Sequence, residues 1–193
     1  DQLAEQGRLS LDDPISRYVP RVPNGDRITL RQLANMTSGV ASYTRSERFT
    51  DRYFAKPHTV FSPSELLAVG LAESPLFEPG ARFDYSNTNT ILLGMVIEKV
   101  TKQPVEKVMA AQILHPLGLT QTVWPGESTA LPTPYAQGFT LQGVHATPEA
   151  PSNATHWNPA WGWTAGELIS TIDDLLVYGR ALGTGQGLLD ATS

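Results

Sequence analysis

The sequence predicts a mainly helical body with irregular, proline-rich connections and few strands. Two observations carry this. Helix start signals recur with complete local chemistry, and the most apolar stretch of the chain has helical spacing, not the period of two that a half-buried strand needs. Asp1-Gln2-Leu3-Ala4-Glu5-Gln6-Gly7 reads as the last turns of a helix stopped by a glycine, so further residues are expected upstream. Asp13 before Pro14 looks like an N-cap and first helical position leading into Ile15 and Tyr18. Thr29 with Gln32 forms a capping box ahead of Leu30, Leu33 and Met36. Ser62-Pro63-Ser64-Glu65 is a fuller one, with Leu66, Leu67, Val69 and Leu71 behind it. Residues 88–101 form the most apolar helix, with Ile91, Leu92, Met95, Val96 and Val100 on a wide face, which predicts a central position. Another helix runs from Val105 to Leu114 and ends before His115-Pro116. The last begins near Thr171 and puts Ile172, Leu175, Leu176, Gly179 and Leu182 on one stripe. Tyr135 to Val144 alternates weakly, as a hairpin would. Residues 145–160 read as a long loop, a place where function concentrates.

Composition narrows the classes of function. The 193 residues suffice for one domain with a sizeable core. The net charge is −5, and the ten arginines and four lysines are scattered, which argues against nucleic acid as a partner. There are no cysteines, so disulfides, thiolate zinc sites and a cysteine nucleophile are excluded. No apolar run approaches the roughly 20 residues of a membrane helix.

Chemistry-bearing motifs are sparse. Gly-x-Ser-x-Gly and Ser-x-x-Lys are both absent. The nearest approach, Ser42-Tyr43-Thr44-Arg45, ends in an arginine, which stays protonated and cannot act as a base. His58, His115, His145 and His156 lack metal-ligand spacing, so no metal is expected. What remains is Asp84-Tyr85-Ser86-Asn87-Thr88-Asn89, between the Pro79-Gly80 turn and the apolar helix. Tyr85 and Asn87, two apart in an extended turn, point the same way. A tyrosine serves as a general base only when neighbouring cations lower its pKa from about 10. Asn87 offers an amide N–H to a substrate carbonyl and an oxygen to an ammonium. The structural alternative is that Ser86, Asn87 or Asn89 caps the helix while Tyr85 packs with its hydroxyl in water.

In its wider context the motif resembles the serine β-lactamase-like family, which holds class C β-lactamases, D-alanyl-D-alanine carboxypeptidases and related esterases. Five segments carry the resemblance in one order: Leu3 to Pro14, Ile28 to Gly39, Tyr85 to Glu98, His115 to Leu119, and Ala165 to Leu175. Tyr85-Ser86-Asn87-Thr88-Asn89, and Trp161 five residues before Gly166, are most similar to the secreted D-alanyl-D-alanine carboxypeptidases. The resemblance implies an α+β fold, with this chain supplying mainly the helical domain inserted into it, as one incomplete domain. It implies that Tyr85 is the phenolic base, that Asn87 holds the substrate amide and that Trp161 lines the cleft; the structural alternative for Trp161 is a core aromatic. Tyr43 and Thr44 fall on the cleft-edge loop as substrate-binding candidates. Arg45 and Arg48 lie near it, as carboxylate-attracting groups or as solvated surface charges.

Two of the three family motifs have no counterpart among these residues. The resemblance places Ser-x-x-Lys upstream of Asp1 and the Lys-Thr-Gly or His-x-Gly motif beyond Ser193. The nucleophile is therefore expected outside this chain, the chain alone is expected to be inactive, and it is expected to expose an apolar face. The implied substrates are D-alanyl-D-alanine peptides, β-lactams or small esters. No cofactor is implied, because the chemistry is covalent serine catalysis. Cell-wall peptides as substrates imply an exported or envelope-associated protein. A non-catalytic ligand-binding module on the same scaffold is the alternative.

Overall fold

The computed structural model describes residues 1–189. Seven α-helices are assigned among them: α1 (Gln2–Glu5), α2 (Leu30–Ala34), α3 (Glu47–Ala55), α4 (Pro63–Ala72), α5 (Asn87–Thr101), α6 (Val105–Met109) and α7 (Ile172–Thr184). A single pair of two-residue strands, β1 (Phe139–Thr140) and β2 (Ser152–Asn153), is the only sheet among the described residues. The mainly helical expectation holds.

Helix α5 is the centre, as its apolar face predicts. Ile91, Leu92 and Val96 are buried, and α2, α4 and the turn Trp163–Ala165 pack around it. Burying each such side chain stabilises the fold by about 1.5–3 kcal/mol. Gly94 permits the close approach of that turn. A Cβ there would stand 2.6 Å from Thr164 Cγ2 and 2.8 Å from Trp163 Cζ3. The resulting contact lets Thr164 Oγ1 donate to the Thr90 carbonyl at 2.7 Å, which fastens the Trp-rich turn to the helix.

Both capping boxes form. Thr29 Oγ1 accepts from the Gln32 N–H, and Gln32 Oε1 accepts in return from the Thr29 N–H. Ser62 and Glu65 repeat the exchange at the start of α4. Where a side chain and the next turn of backbone suffice to decide the structure, sequence predicts it well.

Four expectations need correction. Asp13-Pro14 opens only a single 3₁₀ turn, Ile15–Arg17, and Asp13 caps nothing there. Its carboxylate instead accepts from the Ser10 N–H, from Arg17 and from the Tyr18 hydroxyl, which holds it below the usual carboxylate range. The predicted hairpin within residues 135–144 does not close on itself. Phe139 pairs with Asn153 and Thr140 with Ser152, so the partner strand comes from the segment read as loop. Helix α3, which sequence reading passed over, is present; Ser46 at its N-cap position makes no side-chain capping bond. The helix expected over 105–114 is α only to Met109 and continues as a π-helical stretch, Ala110–Leu114.

Helix α7 lies where predicted, but its stripe of Ile172, Leu175, Leu176 and Leu182 is exposed. The buried side is anchored by Asp174, whose Oδ2 accepts from the Gln121 N–H at 2.9 Å and from Thr122 Oγ1 at 2.7 Å. Beside this anchor, Val123 and Ile169 exchange backbone hydrogen bonds.

Glu167 is buried in the same corner, and its Oε1 has no hydrogen-bond partner. Burial pushes its carboxyl up to about 7, partly offset by N–H groups of Gly126 and Trp124, while Glu106 adds like charge. The unfolded group titrates near 4.5. The folded state therefore holds the extra proton between these values, and stability falls as pH rises from about 4.5 through 7. Glu167→Gln is expected to flatten the decline in Tm between pH 5 and pH 8, worth on the order of 2 kcal/mol. Parallel pH profiles for the two proteins would contradict this.

Candidate functional site

The site is built where the loop of residues 36–44 meets the first turn of α5. Gly39 lets the loop pass: its φ is +79°, and a Cβ there would lie 2.2 Å from the Phe77 carbonyl oxygen. Three consecutive residues of α5 then grip the loop. The Asn87 N–H donates to Ser42 Oγ at 3.0 Å. Thr88 Oγ1 donates to the Ala41 carbonyl at 2.7 Å and accepts from the Tyr43 N–H at 3.0 Å. Asn89 Oδ1 accepts from Ser38 Oγ at 2.7 Å. Thr88 and Asn89 are completely buried, so these bonds are shielded from water.

The start of α5 is not closed by a side-chain cap. Ser86 occupies the N-cap position but makes no capping bond, and its hydroxyl is buried without a partner. Ser42, from a distant part of the chain, supplies the oxygen that a cap would give. Asn87 is left to use its side chain elsewhere. Its Oδ1 accepts from the Tyr85 hydroxyl at 2.8 Å, and its Nδ2 donates to Thr44 Oγ1 at 3.0 Å. Thr44 Oγ1 and Ser42 Oγ share a further hydrogen bond at 3.0 Å. The carboxamide is thus held from both ends, with Oδ1 towards the phenol.

Tyr85 is 49% exposed. Asp84 beside it is bridged by Arg45 at 2.5 Å and by Arg82 at 3.4 Å. Arg45 therefore clamps the strand-like approach to Tyr85. Arg48 lines a separate surface hollow with Arg45, Glu47 and Glu73.

Of the predicted substrate-binding residues, Thr44 and Trp161 line one cleft together with Asn87. Tyr43 does not. Its ring is completely buried, its hydroxyl donates to the Trp161 carbonyl at 2.6 Å, and burial pushes the phenol up from its ordinary value, with Tyr85 adding to the effect. The turn Tyr43–Arg45 points successive side chains in different directions, so Tyr43 enters the core while Thr44 faces the cleft.

Phe49, Tyr53, Phe54 and Trp157 also line this cleft and were not singled out from sequence. The four-residue spacing of Phe49 and Tyr53 on a helix was the available signal. No group of acidic or histidine side chains suited to a metal ion occurs among the described residues.

The family model described as Beta-lactamase matches residues 1–193. Protein flp of Staphylococcus aureus (strain COL) is 34% identical over 148 residues, which is 74% of this chain and 28% of that protein. Among solved structures, a D-stereospecific amidohydrolase from Streptomyces sp. superposes with a TM-score of 0.92 at 38% identity, covering 98% of this chain and 58% of the other. A D-amino acid amidase from Ochrobactrum anthropi SV3 superposes with a TM-score of 0.81 at 26% identity, covering 98% and 53%. The chain thus spans little more than half of either solved enzyme and less of the staphylococcal protein. A match over its whole length, with Tyr85 and Asn87 hydrogen-bonded at the head of a buried helix, means that this chain belongs to the Beta-lactamase family.

Proposed function

We propose that these residues form the phenol-and-amide half of an acyl-serine hydrolase. The observation that carries the reading is the 2.8 Å hydrogen bond from an exposed Tyr85 to an Asn87 whose amide is fixed from its other end by Thr44. Preorganised donors and acceptors of this kind are what acyl transfer requires. In this reading Asn87 holds the amide of the substrate's acyl group. Tyr85 takes a proton from a serine outside these residues and returns it to the leaving group. The chain is then the helical part of a larger fold. Its substrates are amides or peptides of D-amino acids, D-alanyl-D-alanine peptides among them, with β-lactams and small esters as further acyl donors. The D-stereospecific amidohydrolase and the D-amino acid amidase among the structural neighbours support this range. Cell-wall peptides as substrates would place the protein outside the cytoplasmic membrane.

The second reading is a binding module that holds such ligands without cutting them. An intact Tyr85–Asn87 pair favours the enzyme. Because Ser-x-x-Lys does not occur in the 193 residues, the chain by itself is expected to leave a chromogenic cephalosporin and D-alanyl-D-alanine peptides intact. A longer protein carrying Ser-x-x-Lys ahead of Asp1 and Lys-Thr-Gly or His-x-Gly after Ser193 is expected to hydrolyse at least one of these acyl donors or a D-amino acid amide. Hydrolysis by the chain alone, or none by the longer protein, would contradict the reading.

A further inference from the structure

Trp161 is held in the cleft by the winding of the chain on either side of it. Before it, the buried Asn158 side chain accepts from the Ala160 N–H at 2.9 Å and donates to the Glu127 carbonyl at 3.0 Å. After it, the 3₁₀ turn Trp163–Ala165 carries the chain to Glu167. The Gly162 N–H donates to the Pro159 carbonyl at 2.8 Å, and the Glu167 and Gly166 N–H groups both donate to the Trp163 carbonyl, at 3.2 and 3.4 Å. Trp163 has a φ of +37° and Gly166 one of +146°. A bulky residue at positive φ persists only where its surroundings over-determine it. Glu167 is part of those surroundings. A Cβ at Gly162, the residue after Trp161, would stand 3.1 Å from the Glu167 nitrogen. The Glu167 side chain is buried, and N–H groups of Gly126, Trp124 and Trp163 approach its carboxyl. It thus joins the turn to the 123–126 segment, beside the bridge between Val123 and Ile169.

We propose that Glu167 is a positioning residue for the cleft: it holds the Gly162–Gly166 bend closed and so fixes Trp161 beside Asn87. Its effect on turnover rests on the reading of Asn87 given above; its effect on Trp161 does not. The neutral carboxyl suits this corner, because the groups that face it bring no cation. The turn Trp163–Ala165 and the 123–126 segment carry no ionisable side chain. The residues of α5 against the turn are Thr90 and Gly94, and α6 brings Glu106, which adds like charge. Asp174, on α7, is taken up by the Gln121 N–H and the Thr122 hydroxyl. An ionised Glu167 is therefore a buried charge without a partner, which draws in water or swings out. The bend then loosens as pH rises, and Trp161 loosens with it.

The test is NMR of the indole N–H signals of the full chain from about pH 5 to about pH 8, with Trp161 assigned through Trp161→Phe. The Trp161 signal is expected to move with a midpoint near 7, the value to which burial pushes the Glu167 carboxyl. Glu167→Gln is neutral at every pH and close in shape, and is expected to keep the signal at its low-pH position throughout. His58, His115, His145 and His156 titrate in the same range, and a movement caused by them would survive Glu167→Gln. A Trp161 signal that stays still in the parent, or that moves alike in the two proteins, would overturn the positioning role. In the protein extended at both ends, Glu167→Gln is expected to match the parent in kcat/KM at about pH 5.5 and to exceed it at least about threefold at about pH 8, mainly through KM. Identical pH profiles for the two extended proteins would overturn the role in substrate binding. No hydrolysis by either extended protein, with the Trp161 movement present, defeats the acyl-serine reading and leaves the positioning of Trp161 standing.

Discussion

Tyr85→Phe in a protein that also carries the serine segment is expected to lower kcat/KM by about 10²–10⁴-fold, the usual worth of a positioned general base or acid. The fall should lie in kcat, because in the proposed role the phenol acts when protons move and does not hold the ground-state substrate. The substitution is clean. The ring is 49% exposed, and the hydroxyl's hydrogen bond goes to Asn87 Oδ1. Phenylalanine keeps the ring and loses only that bond, so stability should change by less than about 1 kcal/mol. Melting curves beside the kinetics separate lost chemistry from lost fold. Activity within about threefold of the parent would remove Tyr85 from the proton path. A large fall in Tm would make it structural.

Thr88→Val is expected to be among the most damaging conservative changes in the chain, at about 2–4 kcal/mol. Valine has nearly the shape of threonine, so no cavity opens. What is lost is the hydroxyl that serves both the Ala41 carbonyl and the Tyr43 N–H, at a position that is completely buried. Each orphaned backbone group costs about 1–3 kcal/mol. For a domain of this size the loss corresponds to a fall in Tm of roughly 4–16 °C. Thr88→Ser is the control. It keeps both hydrogen bonds and removes one methyl group, which costs about 1 kcal/mol. If valine proves no worse than serine, the clasp between α5 and the 36–44 loop is not what holds the site together. Because Thr88 stands between Asn87 and Asn89 in that clasp, its loss should also loosen the Asn87 carboxamide.

What the sequence made legible follows from how local each decision is. The capping boxes at Thr29 and Ser62 are closed by residues three apart, and both were readable. Tyr85 and Asn87 were readable as a pair because an extended turn fixes the direction of alternate side chains. Tyr43 was misplaced because a turn does not reveal which of its residues enters the core; the deciding partner, the Trp161 carbonyl, lies 118 residues away. Ser42 as the oxygen for the Asn87 N–H was invisible for the same reason, at a separation of 45 residues. The stripe on α7 was correctly placed along the helix, yet its buried side turned out to be the one carrying Asp174 and Ala181. Periodicity finds a face but not what the face meets. The aromatic cleft needed α3, whose start has Ser46 but no capping box, and Trp157, which sits in a segment read only as loop.

The most direct test of the central claim is to incubate a fluorescent penicillin with the 193-residue chain and with a longer protein extended both ahead of Asp1 and beyond Ser193, then map any label by peptide mass. Tyr85 and Asn87 as half of an acyl-serine site predict no adduct on the 193 residues and one adduct on a serine upstream, with its rate of formation sharply reduced by Tyr85→Phe. A label on any residue between Asp1 and Ser193, or an extended protein that takes no label and cleaves no acyl donor, would contradict it.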